Sequence, residues 1–319
     1  MIPLAVSLDA LSTADFWIGV GVLAGTYAIF TLGLQLNVGF TGIINFGQAG
    51  FMAIGAYAMG ILVVEAGWSM WLALPAAIAI AMLAGVLIGL PSLRLRADYF
   101  AIATIALAEI IRYTAQNARG LTGGNQGLLG FDDQWLDVSD TILGWLPEAW
   151  QGQFLLPLLI VVWLTALVLT GLLIALQRSP WGRVLRAIRE DQDAARALGK
   201  NVFAYKLQSI ALAAALGAIA GWFLALNLSF LHPTSFEPQF TFIGFTILVL
   251  GGLGSYVGVM VASLLLWALL EATRFIDLPL AAEKVAALRF VIVGVALILL
   301  VAFRPQGLLG KRQEMVLHD

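Results

Sequence analysis

Apolar segments long enough to cross a membrane recur along the whole chain, and they constrain the fold more than any other feature. A spanning helix needs about 20 mostly apolar residues. About eight runs reach that length, near residues 16–35, 48–64, 68–90, 98–118, 152–176, 204–226, 255–272 and 285–303. With 61% of the 319 residues hydrophobic and 11% charged, one soluble core could not bury this surface. The sequence predicts an all-α polytopic membrane protein, with one transmembrane domain over 1–319.

Two apolar pieces, near 37–47 and 240–250, are too short to span a membrane alone. Irregular backbone is tolerated at membrane depth where protein buries it or where it lines a wet cavity. Both pieces are therefore predicted to be re-entrant half-helices. The order span, half-helix, span, span occurs once from residue 16 and again from residue 204, which indicates an internal repeat whose halves run in the same direction.

Basic residues indicate the orientation. The segment 178–206 holds seven Lys and Arg residues, and others lie at 94–96 and 304–312. Cytoplasmic loops carry an excess of Lys and Arg, so these regions are placed in the cytoplasm. The loop 119–151, which is rich in carboxylates, is then periplasmic, and both termini are predicted to be cytoplasmic.

The stretch "LNVGFTGIINFGQAGFMAIGAY" combines an apolar background with uncharged polar residues. Asn37, Thr41, Asn45 and Gln48 have helical spacing and are predicted to share one helix face. Such a face either lines a solute pathway or forms hydrogen bonds between helices. Both interpretations stay open at this point.

A second candidate is "LGGLGSYVG", which contains Gly251, Gly252 and Gly254. These glycines permit a sharp backbone reversal beside the pathway, or they form a plain turn at the membrane surface. Glu109 and Arg112 lie within a predicted span, three residues apart on one helix face. Charges inside a membrane are functional candidates, but this spacing also suits a structural ion pair.

The segment "RVLRAIREDQDAARALGK", residues 183–200, has the pattern of an amphipathic helix that ends in a Leu198–Gly199 cap. It is predicted to dock a cytoplasmic partner. The alternative is an ordinary basic loop that only fixes the topology.

Several classes of function are excluded or left without support. The chain has no Cys and two His residues, which argues against thiolate chemistry, a His-based metal site and a Ser/His triad. It has no phosphate-binding loop of the G-x-x-x-x-G-K-[ST] type, so it is not expected to bind ATP. No cofactor or metal is predicted. Topology explains the basic cluster without nucleic acid.

Five motifs in order carry a resemblance: "NVGFTGIINFGQAGFMAIGAY", "RADYFAIATIALAEIIR", "LTGGNQGL", "ILVLGGLGSYVG" and "FRPQGLLG". Together they resemble the permease subunits of branched-chain and hydrophobic amino acid ABC importers, of the LivM type. The resemblance implies a bacterial inner-membrane complex with a second permease, two ATP-binding subunits and a periplasmic solute-binding protein. It implies branched-chain or other neutral amino acids as substrates.

The cytoplasmic helix is similar to the EAA loop of importer permeases. The resemblance places Glu190, Ala194, Ala195 and Gly199 in that loop, although the spacing after Glu190 departs from the usual pattern. Ala195 and Gly199 are predicted to share a small-residue face for the ATPases. Arg189 and Arg196 are predicted to pair with acidic groups around it.

Two other classes of function remain: an ion-coupled secondary transporter, and a passive channel for a small neutral solute such as urea. Ion coupling needs a titratable site near the midplane, where Glu109 is the only predicted carboxylate. Neither class gives the helix at 183–200 a role.

Overall fold

The computed structural model describes residues 13–272, 291, 294–295, 298 and 306–310. Its α-helices of more than five residues are α1 Ala14–Leu34, α2 Gln48–Val64, α3 Met70–Ser92, α4 Ala97–Asn117, α5 Asp133–Gly144, α6 Leu156–Arg178, α7 Pro180–Glu190, α8 Gln192–Ala197, α9 Val202–Leu228, α10 Gln239–Gly251 and α11 Tyr256–Ala272. Apart from isolated positions, the predicted span 285–303 lies outside the described residues.

Length and composition qualify four described segments as membrane spans: α1 with its extension to Thr41, α3, α6 and α9. The stretch from Pro233 through α10 qualifies only together with α11, and the two meet at a bend of 117°. α2 has only 17 residues. α4 is less apolar and carries three charged residues, Asp98, Glu109 and Arg112. The all-helical membrane class is confirmed, whereas the count of eight full spans remains a prediction.

α1 does not end at Leu34 but continues as a π-helical stretch, Gln35–Phe40, as far as Thr41. Gly42 then adopts a left-handed conformation (φ 72°) that ends the helix, and residues 42–47 are irregular. The prediction of a re-entrant half-helix at 37–47 is therefore wrong. Its first part belongs to α1, and its second part is non-helical chain.

α2, which follows this irregular chain, begins midway along the bundle. The side-chain amide of Gln48 donates to the backbone oxygens of Phe30 and Ala213, which lie inside α1 and α9. At 1.5 Å per residue, Thr41 lies about 16 Å further along the helix than Phe30. α2 is therefore the short helix of the first half, although its apolar length led to the prediction of a full span.

α1 and α9 lie side by side at the centre of the bundle and are mostly buried. They run in opposite directions: Ser209, near the start of α9, bonds to Asn37, whereas Ala213, one turn later, lies beside Gly33. α3 and α6 pack outside this pair and expose large apolar side chains such as Leu83. Exposed apolar faces of this kind are expected where helices meet lipid or a second subunit.

The end of α1 lies beside the basic residues. A cavity at this end is lined by Gly42, Arg94, Arg96 and Arg196. We call this end of the bundle the basic end. Because α1 finishes here, its first residue, Ala14, lies at the opposite end. The N-terminus itself, predicted to be cytoplasmic, lies outside the described residues, whereas the start of the described chain lies at the end away from the basic residues. No basic residue precedes α1 to orient it, so that placement depended on the span count alone.

The helices of the two halves are interlaced. α9 packs on α2 and α3, while α1 packs on α10 and α11. Many transporters are built from two halves that are inverted relative to each other. Because α1 and α9 are antiparallel, the prediction that both halves run in the same direction is wrong.

The loop 119–151 covers the end of the bundle opposite the basic end. It contains α5 and single helical turns, and Leu128 exchanges backbone hydrogen bonds of 3.0 Å with Leu231. Gln134 reaches the start of α3, where its side-chain oxygen accepts from the Met70 N–H at 2.9 Å. The loop is therefore anchored to the helices that it connects.

Candidate functional site

Two helix N-termini meet in the middle of the bundle. α2 and α10 both begin there, and the Ala49 N–H of α2 donates to Thr241 Oγ1 of α10 at 3.1 Å. A helix N-terminus carries unsatisfied N–H groups and a partial positive charge. Two such ends therefore face one small region. The residues bonded to each other there, Ala49 and Thr241, are uncharged.

The predicted polar residues surround this meeting point but divide into two groups. Asn37 and Thr41 are buried against α9, where Ser209 Oγ donates to Asn37 Oδ1 at 2.9 Å and lies 2.8 Å from Thr41 Oγ1. Asn45 Oδ1 accepts from the Gly47 N–H at 2.8 Å, in the irregular chain. The prediction of one shared helix face is therefore wrong, because the π-helical stretch and Gly42 break the periodicity.

Hydrogen bonding at these amides is incomplete. Gln48 Nε2 donates to Ala213 O at 2.9 Å, but the Oε1 atom of the same amide has no partner among the described residues. The same holds for Gln35 Oε1, Asn37 Nδ2 and Asn45 Nδ2, and all four side chains are buried. An unpaired buried polar group costs ~1–3 kcal/mol, so a cluster of them needs an explanation. Binding of a polar solute or of water would supply the missing partners.

Aromatic side chains border the same region. The ring of Phe46, in the irregular chain, lies 5.3 Å from that of Phe242 and 4.6 Å from that of Phe245, both in α10. The Phe46 N–H donates to Thr104 Oγ1 of α4 at 3.1 Å. Polar amides and an apolar aromatic group thus lie side by side at the break in the chain.

The glycine-rich turn between α10 and α11 is built by backbone contacts. Gly252 and Gly254 have φ values of 99° and 83°, which favour glycine. A Cβ atom on Gly252 would lie 2.6 Å from Gln306 O, and the Leu308 N–H donates to Leu250 O at 2.8 Å. At Gly251, a Cβ atom would lie 2.6 Å from the backbone of Gly258, so the two helices meet without side chains. The predicted sharp reversal lies at the basic end, where Gln35 Nε2 donates to Gly252 O.

Glu109 and Arg112 form a bidentate ion pair within α4. The two contacts are 2.7 Å (Nη2–Oε2) and 3.0 Å (Nε–Oε1). The Arg112 guanidinium also lies 4.3 Å from the ring centre of Tyr113. Each charge is therefore compensated locally.

The basic segment, residues 183–200, belongs to two helices rather than to the one predicted. α7 ends at Glu190, and Asp191 caps α8 by accepting from the N–H groups of Asp193 and Ala194 at 2.8 and 3.0 Å. The Ala194 and Asp193 N–H groups hold the pKa of the Asp191 carboxyl below its usual value. Gly199 ends α8 in a left-handed conformation (φ 75°), as predicted for a C-cap.

The six predicted docking residues do not share one surface. Glu190, Ala194, Arg196 and Gly199 are exposed, whereas Ala195 is buried against Ile188 and Val202. The predicted docking face of Ala195 and Gly199 is therefore wrong, because the break at Asp191 turns Ala195 inward. Leu198, which the sequence analysis placed in the C-cap, is 79% exposed at the tip of the segment.

Arg189 points back into the bundle. Its guanidinium donates to Gly39 O in the π-helical stretch, and its side chain also contacts Gly42. This contact replaces the predicted position at the rim of a docking surface. The side chain joins the basic segment directly to the stretch that carries Gln35 and Asn37.

The family model described as branched-chain amino acid transport system, permease component, matches residues 17–301. The chain belongs to this permease family. The permease is 34% identical over 306 residues to the high-affinity branched-chain amino acid transport system permease protein LivM of Escherichia coli K12, covering 92% of this chain and 69% of that relative. The resemblance to LivM-type permeases is therefore confirmed.

Two further relatives extend the comparison. The permease is 27% identical over 346 residues to the probable LivM protein of Methanocaldococcus jannaschii, covering 96% of this chain and 95% of the relative. It is 28% identical over 316 residues to the LivH permease of Escherichia coli K12, covering 91% of this chain and 92% of that relative. No solved structure matches the chain.

The sequence analysis missed four polar residues of the permease that complete the break. Thr104, Ser209 and Thr241 form hydrogen bonds with Phe46, Asn37 and Ala49, and Gln35 donates to Gly252 O at the glycine-rich turn. Each is uncharged and lies in a mainly apolar segment. An uncharged polar residue in such a segment is a usable signal, because its side chain needs a partner at membrane depth.

Proposed function

We propose that the permease is a subunit of an ATP-driven importer for branched-chain or other neutral amino acids in the bacterial inner membrane. It would form the transport pathway with a second, homologous permease. Two ATP-binding subunits would supply the energy, and a periplasmic solute-binding protein would deliver the substrate. The family match over 17–301 and the similarity to both LivM and LivH support this proposal.

The incompletely bonded break is the single structural observation that carries the proposal. We place the pathway beside Asn37, Thr41, Asn45 and Gln48, with Gly251, Gly252 and Gly254 at its basic end. Helix N-termini favour a carboxylate, and amide groups can bind a zwitterion without holding an ion tightly. The rings of Phe46, Phe242 and Phe245 suit an apolar side chain such as that of leucine. These features match the chemistry of a neutral, apolar amino acid.

Energy coupling would use the basic segment, at the cytoplasmic end. Its exposed residues Glu190, Ala194, Arg196, Leu198 and Gly199 are available to an ATP-binding subunit. Arg189 would transmit movement of this segment to the π-helical stretch through its bond to Gly39 O. The loop 119–151, at the opposite end, would receive the solute-binding protein.

Ion-coupled transport is less well supported. It requires a carboxylate at mid-depth that can exchange a proton or bind sodium. Both carboxylate oxygens of Glu109 already bond to Arg112. This pairing leaves the carboxylate poorly available for a coupling ion.

Reconstitution tests the proposal. The permease is placed in proteoliposomes alone, or with the second permease, the ATP-binding subunits and the solute-binding protein. We expect ATP-dependent uptake of radiolabelled leucine only from the complete set, and a panel of amino acids, amides and urea defines the substrate range. ATP-driven uptake by the chain alone, or proton-driven uptake without ATP, would contradict it.

Docking is tested at Gly199, where a Cβ atom would meet no neighbour within 4 Å. Gly199→Trp places a bulky ring on the exposed surface and strains the cap, while Gly199→Asn keeps the left-handed conformation accessible. We expect the Trp variant to insert normally but to lose pull-down of the ATP-binding subunits, and the Asn variant to retain it. Normal pull-down and normal uptake with the Gly199→Trp variant would mean that the segment is only a basic loop that fixes the topology.

A further inference from the structure

A cavity of about 340 Å³ opens at the basic end, between the turn that joins α3 to α4 and the link that joins α8 to α9. Four of its lining side chains are cationic: Arg94, Arg96, Arg196 and Lys206. None of the described lining residues is Asp or Glu. The cavity therefore concentrates positive charge in one concave site.

This charge is only partly compensated. Arg196 bonds to Asp193 on the exposed surface at 2.9 Å, and Lys206 Nζ donates to the neutral side chain of Gln192 at 2.9 Å. Within the described part of the chain, Arg94 and Arg96 make no ion pair or side-chain hydrogen bond. An anion in the cavity would reduce the mutual repulsion of these groups.

Membrane topology alone does not account for this arrangement. The positive-inside rule needs basic residues in a loop but does not require that they converge. Arg183 and Arg186 satisfy it from an exposed surface, where each donates to backbone oxygens at the end of α6. The cavity instead brings together cations from three separate stretches of the chain.

The remaining lining indicates which anion fits. Ile44 and Leu95, which are 42% and 46% exposed, supply an apolar rim beside the cations. The cavity lies where α1 and α3 end, and because both helices are long enough to cross a membrane, we expect it at the depth of the lipid headgroups. The first residue of α4, Ala97, also lines it and adds the partial positive charge of a helix N-terminus. Cations beside an apolar rim suit a phosphate that is attached to acyl chains.

We propose that this cavity binds the phosphate headgroup of an anionic phospholipid from the cytoplasmic leaflet. Basic pockets between helices at the cytoplasmic side are a recurrent form of lipid site. The bound headgroup would hold the turn at 94–96 against the α8–α9 link. Gly42 also lines the cavity, so the lipid would lie beside the first break in the chain.

Native mass spectrometry of the full-length protein, purified in mild detergent, tests this site. The protein is titrated with phosphatidylglycerol, and phosphatidylethanolamine serves as the zwitterionic reference. We expect Arg94→Gln/Arg96→Gln to weaken phosphatidylglycerol binding by roughly 30-fold, the loss expected for two cations at a membrane surface. Arg94→Lys/Arg96→Lys, which keeps both charges, should restore binding.

The matched control is Arg183→Gln/Arg186→Gln, which removes the same charge from the same end but outside the cavity, and it should bind as the wild type does. Unchanged binding in the Arg94/Arg96 variant, or equal loss in the control, would overturn the proposal. Release of the lipid by millimolar inorganic phosphate would assign the site to free phosphate instead. If the Arg94→Gln/Arg96→Gln variant binds lipid normally but the assembled complex that contains it loses the ATP-binding subunits, the cavity is a protein interface instead.

Discussion

Two interruptions of the helical bundle lie close together and are stabilised in different ways. The first, between α1 and α2, uses side chains: Asn37, Thr41, Asn45 and Gln48 form hydrogen bonds, but some of their amide atoms have no partner among the residues that the structure describes. The second, between α10 and α11, uses backbone: Leu308 and Leu309 donate to Leu250 O and Gly251 O around glycines. Gln35 joins the two through Gly252 O.

This difference indicates that the second interruption is rigid, whereas the first can rearrange. Glycines in close backbone contact have one arrangement, because any shift brings atoms into collision. Amides with spare donors and acceptors can exchange partners at little cost. We therefore expect changes at the second interruption to reduce folding, and changes at the first to reduce transport.

The largest effect is expected at Gly252. Gly252→Val places a β-branched residue at φ 99° and a Cβ atom 2.6 Å from Gln306 O and from Gly310 N. We expect almost complete loss of folded protein, measured as the monodisperse fraction after extraction. Gly171→Ala, in α6 with no neighbour within 4 Å, is the control and should express normally. A folded, active Gly252→Val protein would remove the distinction between the interruptions.

The next effect concerns Gln48. Gln48→Met keeps the length of the side chain but removes its bonds to Ala213 O and Phe30 O. We expect uptake by the assembled complex to fall by about tenfold, the equivalent of ~1.4 kcal/mol. Ser263→Ala, which removes a buried hydroxyl that donates to Met260 O within the same helix, should keep normal uptake. Uptake that falls only with the amount of folded protein would make Gln48 a packing residue.

Arg189 tests the connection between the basic segment and the first interruption. Arg189→Gln removes the guanidinium that donates to Gly39 O, a charged hydrogen bond of ~1.5–3 kcal/mol. We expect ATP hydrolysis to continue while the leucine imported per ATP falls severalfold. Arg186→Gln, on the exposed side of α7, should keep the wild-type ratio. An unchanged ratio for Arg189→Gln would mean that coupling passes through another contact.

The smallest effect is expected at Asp191, whose cap sets the angle between α7 and α8. Backbone N–H groups lower its pKa, so the cap contributes fully above the unfolded value of 3.8 and is lost as pH falls through the lower folded value. We expect faster hydrogen exchange in α8 for Asp191→Ala, and near-normal exchange for Asp191→Asn, which can still cap. Hydrogen-exchange protection of α8 that declines between pH 7 and pH 5 would contradict the predicted pH dependence of the cap.

The sequence predicted the local features better than the depth of the elements. Gly199 was predicted as a cap, and the glycines at 251–254 were predicted to form either a sharp reversal or a plain turn, because both follow from backbone conformations that glycine favours. The first interruption was misassigned because a π-helical stretch shifts every later residue relative to a period of 3.6. The mid-depth start of α2 depends on Gln48 reaching Ala213, a contact that residue spacing does not contain.

The interlaced packing of the two halves has a consequence for synthesis. α1 is synthesised before the other described helices, yet the helices on which it packs include α9, α10 and α11, all of which lie from residue 202 onward. Until Ser209 emerges from the ribosome, Asn37 lacks the hydroxyl that it accepts from in the finished protein. A nascent chain that stalls before α9 therefore presents unmatched amides to lipid. We expect such a chain to need a protein partner in the membrane until α9 arrives, or to be degraded.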